Sequence, residues 1–554
     1  MKHTIIKLSL LVTMVAIIPS CSKKIDDVYQ NPNAPVRVPV ETLLPNIVAS
    51  MAGNYGGHGP MNDIRYIGAY IQSFAYHATL SNYDQMGYTN NASDIGQSTW
   101  RMHYYDIGQN AMMMIKWAEE EKKWDYVGVG KAVLAWSWLT LTDYYGDVIL
   151  KEAFNTDQIT FKYDTQEDVY NYVRQLCFDA LVYLNKTGDG VSQANLAKGD
   201  AYFYNGDVAK WKKFTYGVLA RYHNHLSNKS SYKADSAIYY ASQSIMDNAD
   251  NASVKFLANS LSASNNFFGP LRNNLAGVST TGPTAIRQGA FIADLMSGAN
   301  PEFSGAADPR AWYMLRGNAN GTIKGILPNK GQAAYSVSNP GPAKDNPENF
   351  WGSSQATGVV NTAPATDANC RYIFRNAAPF PVMTASEMKF IIAEAAFRKG
   401  DKATAYQAYQ DGISLSFDLL SSVYNVNIPT GKDINAANKA AYLANTNVVP
   451  ATSAGLTMSK IMLQKYIAMF AWGTLETWSD MRRYHYTDSY AGQQVYTGFV
   501  IPSGGDLFVD NAGQPVYRVR PRFNSEYVWN ILELQRIGAT QNDYHIKKMW
   551  FTEP

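Results

Sequence analysis

Ile392-Ala393-Glu394-Ala395-Ala396-Phe397-Arg398-Lys399-Gly400-Asp401-Lys402-Ala403-Thr404-Ala405-Tyr406-Gln407-Ala408-Tyr409 decides the fold. Apolar residues recur at three- and four-residue spacing on both sides of Gly400, as on the buried stripe of a helix. Gly400 ends the first helix and Asp401 supplies an N-cap for the second, so the stretch predicts two antiparallel helices joined by a tight turn. Small residues facing each other let such a pair approach closely.

Ala393, Gly400, Ala405 and Tyr409 occupy the small and aromatic positions of a tetratricopeptide unit. One such unit cannot bury its own apolar face, so neighbours are required. Working back along the chain, helical periodicity is read at about Thr99–Lys122, Tyr126–Tyr144, Gln166–Leu184, Val208–Leu226 and Asp235–Ile245. Ala132–Tyr144 with Val169–Leu184, and Trp211–Leu226 with Asp235–Ile245, supply the neighbouring pairs. Residues 261–384 differ: Gly, Pro, Asn and Ser are frequent and no helical period is sustained. Long irregular stretches inside compact proteins are usually functional surfaces. The expected fold is mainly α, with tetratricopeptide-like helix pairs as a scaffold and the loop-rich segment folded onto it. Residues 41–260 form the helical half, 261–384 a ligand-binding insertion and 385–554 the quoted helix pair with the C-terminal segment, all one intertwined domain.

At the other end, Met1-Lys2-His3 and Lys7 precede an apolar run from Leu8 to Ile18, which is too short to span a bilayer. This is the pattern of a signal peptide over residues 1–20. Ile18-Pro19-Ser20-Cys21 then places an aliphatic residue three before a cysteine and a small residue just before it; this resembles the bacterial lipobox, which implies cleavage ahead of Cys21 and lipid attached to that cysteine. At about 0.8 kcal/mol per buried methylene, two or more acyl chains anchor stably where one does not. Residues 21–40, with Asn31-Pro32-Asn33 and Pro35, read as a lipidated tether.

With 554 residues, a net charge of +2 and 17% charged residues, the chain shows no electrostatic footprint for nucleic acid. Aromatic content is the unusual feature, with 38 Tyr, 22 Phe and 12 Trp among abundant amides. Rings beside amides suit a pyranose, which has an apolar face and a rim of hydroxyls. Most of these rings must still be core, so composition favours a glycan only weakly. Cys177 lies in a helical apolar pattern and reads as a small buried hydrophobe, and no bridge to Cys370 is expected.

Catalytic signatures are not found. His223-Asn224-His225 cannot put both rings on one helix face, and no His-Glu-x-x-His occurs, so no metal site is expected. Gly128-Val129-Gly130-Lys131 is followed by Ala132 rather than a magnesium-binding hydroxyl and reads as a helix start. No cofactor is implied and no pair of carboxylates is singled out for glycoside hydrolysis. Met112-Met113-Met114 with Trp117 is read as core packing, and Glu119–Lys123 as the solvated end of that helix.

Several separate stretches resemble the SusD/RagB family of surface lipoproteins from Bacteroidota, over almost the whole chain. Asp143-Tyr144-Tyr145-Gly146-Asp147-Val148 is similar to the family's Tyr-Gly-Asp-Val-Pro turn, with Ile149 where proline is usual. Gly206-Asp207, Lys210-Trp211-Lys212-Lys213-Phe214 and Leu219-Ala220-Arg221 resemble its Trp-Lys-Lys-Phe helix, with Tyr216-Gly217 replacing the usual Asn-Ser. Arg520-Pro521-Arg522-Phe523, Ser525-Glu526 and Asn530 are similar to its closing pattern. The resemblance implies a non-catalytic, outer-membrane nutrient-binding lipoprotein that faces the cell exterior. It would act as a lid on a SusC-like TonB-dependent transporter and deliver a glycan to it. A peptide-binding RagB-like member is the alternative within the family, and a glycoside hydrolase the alternative from another class. Glycan contacts in the family often come from an early loop, which implies Asn82, Tyr83, Asp84 and Tyr88 here. Aromatic residues in the irregular segment add Phe268, Tyr335, Phe350 and Trp351 as candidate ligand contacts.

Overall fold

A computed structural model describes residues 37–53, 59–76, 83–87, 98–261, 264–275, 285–318, 320–331, 347–352, 364, 366–521 and 523–554. The expected signal segment and Cys21 lie outside the described residues. The protein is mainly helical, as expected. The helices that matter below are α1 (Leu44–Ser50), α2 (Pro60–Tyr70) and α3, which runs as Ser98–Arg101, a π-helical stretch Met102–Gly108 and Gln109–Glu120. They continue with α4 (Trp124–Tyr145), α5 (Gln166–Leu184), α6 (Gln193–Asp200), α7 (Val208–His225) and α8 (Ala234–Gln243). After α9 (Ala290–Ser297) come α10 (Ala385–Arg398), α11 (Lys402–Val423), α12 (Ala436–Ala444), α13 (Met458–Ala468), α14 (Thr474–Arg483), α15 (Asn524–Trp529) and α16 (Ile531–Arg536).

The long helices form an array in which α3 packs on α4, α4 on α5, α5 on α7, α7 on α8, α8 on α10 and α10 on α11. The quoted α10–α11 pair behaves as its sequence implies. Gly400 turns the chain at φ +86°, and the Asp401 carboxylate accepts from the Thr404 N–H at 3.1 Å. In α5, Val169, Tyr170, Val173, Leu176, Cys177, Ala180 and Leu184 make one buried stripe, and Thr165 caps its start. By contrast α4 is buried nearly all round, as a central helix must be when neighbours cover both sides. Gly128 and Gly130 sit inside it against Leu184 and Ile115, so this glycine pair serves helix packing.

The motif around Trp211 is structural. Its ring is fully buried beside Phe203, and its indole N–H donates to Asp200 at 2.8 Å. Asp207 caps α7 through the Lys210 N–H. Gly217 explains one departure from the family's usual helix: a Cβ there would stand 2.1 Å from the Met383 sulfur. Gly217→Ala is therefore expected to overpack the α7 contact and destabilise the protein by about 1–3 kcal/mol. A thermal melt unchanged from wild type would show that Met383 can move aside.

Between residues 261 and 384 the chain makes short elements tied back to the helices. β1 (Phe74–Tyr76) pairs antiparallel with β3 (Ile286–Gln288), and β2 (Ala252–Val254) with β4 (Phe380–Met383). Phe74 meets Phe268, Phe350 and Phe470 edge-on, with centroids 6.3, 5.5 and 5.7 Å away. Phe350 stacks on Phe374 at 4.1 Å, and the Trp351 indole donates to the Phe268 carbonyl at 2.8 Å. Phe268, Phe350 and Trp351, read from sequence as candidate ligand contacts, are buried here as a satellite core that glues the segment to the body.

Cys177 and Cys370 are both buried and free. Within the methionine run only Met114 is core; Met112 and Met113 are exposed, which corrects that reading. No helix among the described residues is long and apolar enough to cross a membrane.

Candidate functional site

An open aromatic cleft of about 270 Å³ lies where α3, the 149–161 segment and α15 meet. Trp100 and Tyr104 stand one helical turn apart on α3, their rings 4.7 Å from each other. The π-helical stretch begins between them, and such insertions concentrate at functional sites. The Tyr104 hydroxyl donates to the Ile149 carbonyl at 2.7 Å, which fixes the ring and leaves its face to the cleft. Behind Trp100 stand Tyr145, Tyr163 and Phe523. The turn after Tyr145 brings the chain back along Asp164, where Val148 bridges, and this places Phe154, Asn155, Thr156 and Phe161 opposite.

Phe154 holds a left-handed backbone at φ +64°, a conformation a bulky side chain adopts only when its surroundings compel it. They do so here, because Gly108 in the π-helical stretch opens the space for its ring: a Cβ at 108 would lie 2.2 Å from Phe154 Cζ. The far wall is built by the closing motif. Asn530 accepts from the Phe161 N–H at 3.0 Å and donates to its carbonyl at 2.9 Å. Glu526 accepts from the Tyr163 hydroxyl at 2.9 Å and from Asn530 at 3.0 Å. Burial pushes the Glu526 carboxyl above its usual range, against the pull of the Asn530, Tyr163 and Ser525 hydrogen bonds.

A second cavity, of about 50 Å³, lies between α2, α4, α7, β4 and α14, with Trp136, Trp472, Trp478, Asp143, Arg221 and Glu476 in its walls. It has room for a few waters but not for a sugar ring. Beside it, Asp143, His225 and Glu476 place ligand atoms within 4.8 Å of one another. The donor set does not suit a cation. His225 Nδ1 faces Asp143 at 3.2 Å and Nε2 faces Glu476 at 2.8 Å, so both ring nitrogens act as donors to carboxylates. A metal needs a neutral imidazole lone pair. Burial lowers the His225 pKa, but the Glu476 and Asp143 carboxylates outweigh it and hold the imidazolium up at about 9. His223, two residues away, instead stacks on Tyr240 with centroids 4.9 Å apart.

Of the described residues among those proposed from sequence, none lines the cleft. Tyr83 is buried and donates to the Asp506 carbonyl at 2.7 Å. Asp84 is buried and accepts from the Phe508 N–H at 2.7 Å and from Asn511 at 2.8 Å; burial, offset in part by these bonds, pushes its carboxyl up to about 6. Both side chains are thus bound to the 506–511 segment. Asn82, Tyr88 and Tyr335 lie outside the described residues. Phe154 and Phe161 flank the polar run Asn155-Thr156-Asp157-Gln158-Ile159-Thr160, the same aromatic-in-polar-turn signal that singled out Tyr83. Trp100 and Tyr104, inside a helix, carry no such signal.

A family profile described as starch-binding, associating with the outer membrane, matches residues 32–497. The chain belongs to the SusD-like family. SusD-like proteins are binding proteins rather than enzymes, in line with the lack of a catalytic motif in the sequence. Solved SusD-like structures share the fold. A SusD/RagB family protein from Bacteroides thetaiotaomicron is 21% identical, with TM-score 0.65, over 93% of this chain and 99% of its own. A chitin-binding protein is 20% identical, with TM-score 0.65, over 93% of this chain and 100% of its own. A SusD homologue from Parabacteroides distasonis is 17% identical, with TM-score 0.66, over 93% and 98%. No curated protein sequence matches the chain.

Proposed function

We propose that this SusD-like protein is a surface lipoprotein, anchored through Cys21, that binds an oligosaccharide in the Trp100 cleft and hands it to a SusC-like TonB-dependent transporter. The observation that carries the reading is the cleft itself. Trp100, Tyr104, Phe154 and Phe161 surround an open space beside Gln109, Asn155, Thr156 and Glu526. Rings stack on the C–H face of a pyranose while amides and a carboxylate take its hydroxyls. Such a site, open on one side, binds with moderate affinity and can release its ligand to a partner. The likeness to a chitin-binding protein supports a sugar as the ligand.

The test is calorimetric titration of the chain lacking residues 1–20 with neutral oligosaccharides, alongside peptides of matched size. Saturable sugar binding is expected, weakened about tenfold or more by Phe161→Ala or Asn155→Ala, which corresponds to about 1.4 kcal/mol. Asn155→Ala should leave the melting temperature nearly unchanged, because Asn155 is exposed on the rim. Saturable binding of a peptide with no sugar binding would overturn the reading in favour of a RagB-like role. Copurification of a TonB-dependent transporter with the lipidated protein tests the partner.

A further inference from the structure

Resting on that reading, we infer that Asn530 is a positioning residue for ligand binding: it does not line the cleft, but with one amide it holds two residues that do, Phe161 and Glu526. Both of these face the open space. Asn530 is buried one helical turn after Glu526, where the chain passes from α15 to α16. Its Oδ1 accepts from the Phe161 N–H at 3.0 Å, while its Nδ2 donates to the Phe161 carbonyl at 2.9 Å and to Glu526 Oε2 at 3.0 Å. The oxygen and both donors of the amide are thus engaged. Asp would supply no donor, Leu neither donor nor acceptor, and Gln the same groups one methylene too far out.

The pattern continues along α16. Two residues on from Phe161, the Tyr163 N–H donates to Glu533 at 2.8 Å and the Tyr163 carbonyl accepts from Arg536 at 2.8 Å. In a sheet, alternate residues of one strand offer N–H and C=O along an edge that the next strand takes. Here the side chains at 530, 533 and 536, spaced three apart along a helical path, take the Phe161–Tyr163 edge instead. Asn530 is the rung of this ladder that reaches the cleft. It fixes the backbone that carries the Phe161 ring, and with the Tyr163 hydroxyl it holds Glu526 by Oε2, so that Oε1 keeps acceptor capacity for a ligand hydroxyl.

The test titrates the chain lacking residues 1–20, as wild type, Asn530→Ala and Asn530→Asp, with neutral oligosaccharides of hexose and N-acetylhexosamine units. Asn530→Ala should weaken binding about tenfold or more, since it leaves groups of Phe161 and Glu526 unpaired. Asn530→Asp keeps the acceptor for the Phe161 N–H but sets a second carboxylate against Glu526, and two carboxylates so close favour sharing one proton. Its affinity relative to wild type should therefore be about tenfold down at about pH 8 and recover several-fold at about pH 5. The Tyr104 and Tyr163 hydroxyls, which also face Glu526, do not titrate in this range, because burial raises both well above their ordinary value of 10. Variants at 530 that bind like wild type, while Phe161→Ala still loses the sugar, would overturn the positioning role and leave the cleft as the binding site. A loss in Asn530→Asp that is equal at both pH values would overturn it too, by showing that Asn530 acts through packing alone. Hydrogen exchange needs neither ligand nor variant: the Phe161 amide of wild type should exchange slowly, and fast exchange there would overturn the inference. If no oligosaccharide binds wild type, the cleft reading falls and takes the inference with it.

Discussion

Arg483→Met is expected to destabilise the protein by about 3 kcal/mol, because it removes the bidentate partner of a buried carboxylate and leaves it the longer Arg398 contact at 3.4 Å. Arg483 and Glu394 are both fully buried and bonded in a fork, Nη1 to Oε1 at 2.8 Å and Nη2 to Oε2 at 3.0 Å. Glu394 also accepts from Asn224 at 2.9 Å and from the Tyr484 hydroxyl at 2.7 Å, so one side chain on α10 gathers α7 and the end of α14. Burial alone would push its carboxyl up; Arg483 first, then Arg398 and Lys465, reverse this and hold it well below the usual carboxylate range. Removing Arg483 also leaves Asp480 with Lys465 as its remaining cation, at 2.7 Å. Chemical denaturation of wild type and variant measures the loss. Adding Glu394→Gln to Arg483→Met should recover part of it, since a neutral amide is cheaper to leave buried than a charge. A loss under 1 kcal/mol for the single variant would mean that water reaches the site.

His225 gives the second large effect, and it depends on pH. The folded imidazolium titrates near 9 against an ordinary value of 6.5. A group with a raised folded pKa contributes fully below its unfolded pKa and loses that contribution as pH rises through the folded one. His225 therefore stabilises fully below about pH 6.5, and the benefit fades between there and pH 9. The difference corresponds to roughly 3 kcal/mol at one pKa unit per about 1.4 kcal/mol. The attraction that raises His225 also holds Glu476 low, so it counts once. His225→Gln should be less stable than wild type by about that amount at pH 6, with the gap closing toward pH 9. Denaturation midpoints at these two values decide the matter, and a gap independent of pH would show that His225 acts through packing alone.

Both effects sit in a network that sequence reading passes over. Arg221 closes the family-like helix and forks onto Glu387 at 2.6 and 2.8 Å, joining α7 to α10. Asp143, in the Tyr-Gly-Asp-Val stretch, faces His225 across the array. Nothing in the spacing of these residues along the chain pairs them, because each partner comes from a helix separated by scores of residues. The motifs flag positions that matter, while the reason they matter appears only when the helices stack.

The helices themselves were legible for a local reason. Burial on one side repeats every three to four residues, so α5 is readable from Gln166 to Leu184 and α10–α11 from the turn at Gly400 with its cap at Asp401. The burial of individual rings was not legible. Tyr83, Phe268, Phe350 and Trp351 stand in polar, turn-rich stretches that look exposed along the chain, yet in three dimensions those stretches fold over one another and the rings become their shared core. Trp100 and Tyr104 stand in a helix that looks like core, and Trp100 is indeed buried, yet both line the cleft that runs past the π-helical stretch and the left-handed Phe154. Whether a ring is packed or presented depends on which distant segment lies over it. That is a property of tertiary contacts, and periodicity, which records only one helix's own burial, carries no information about it.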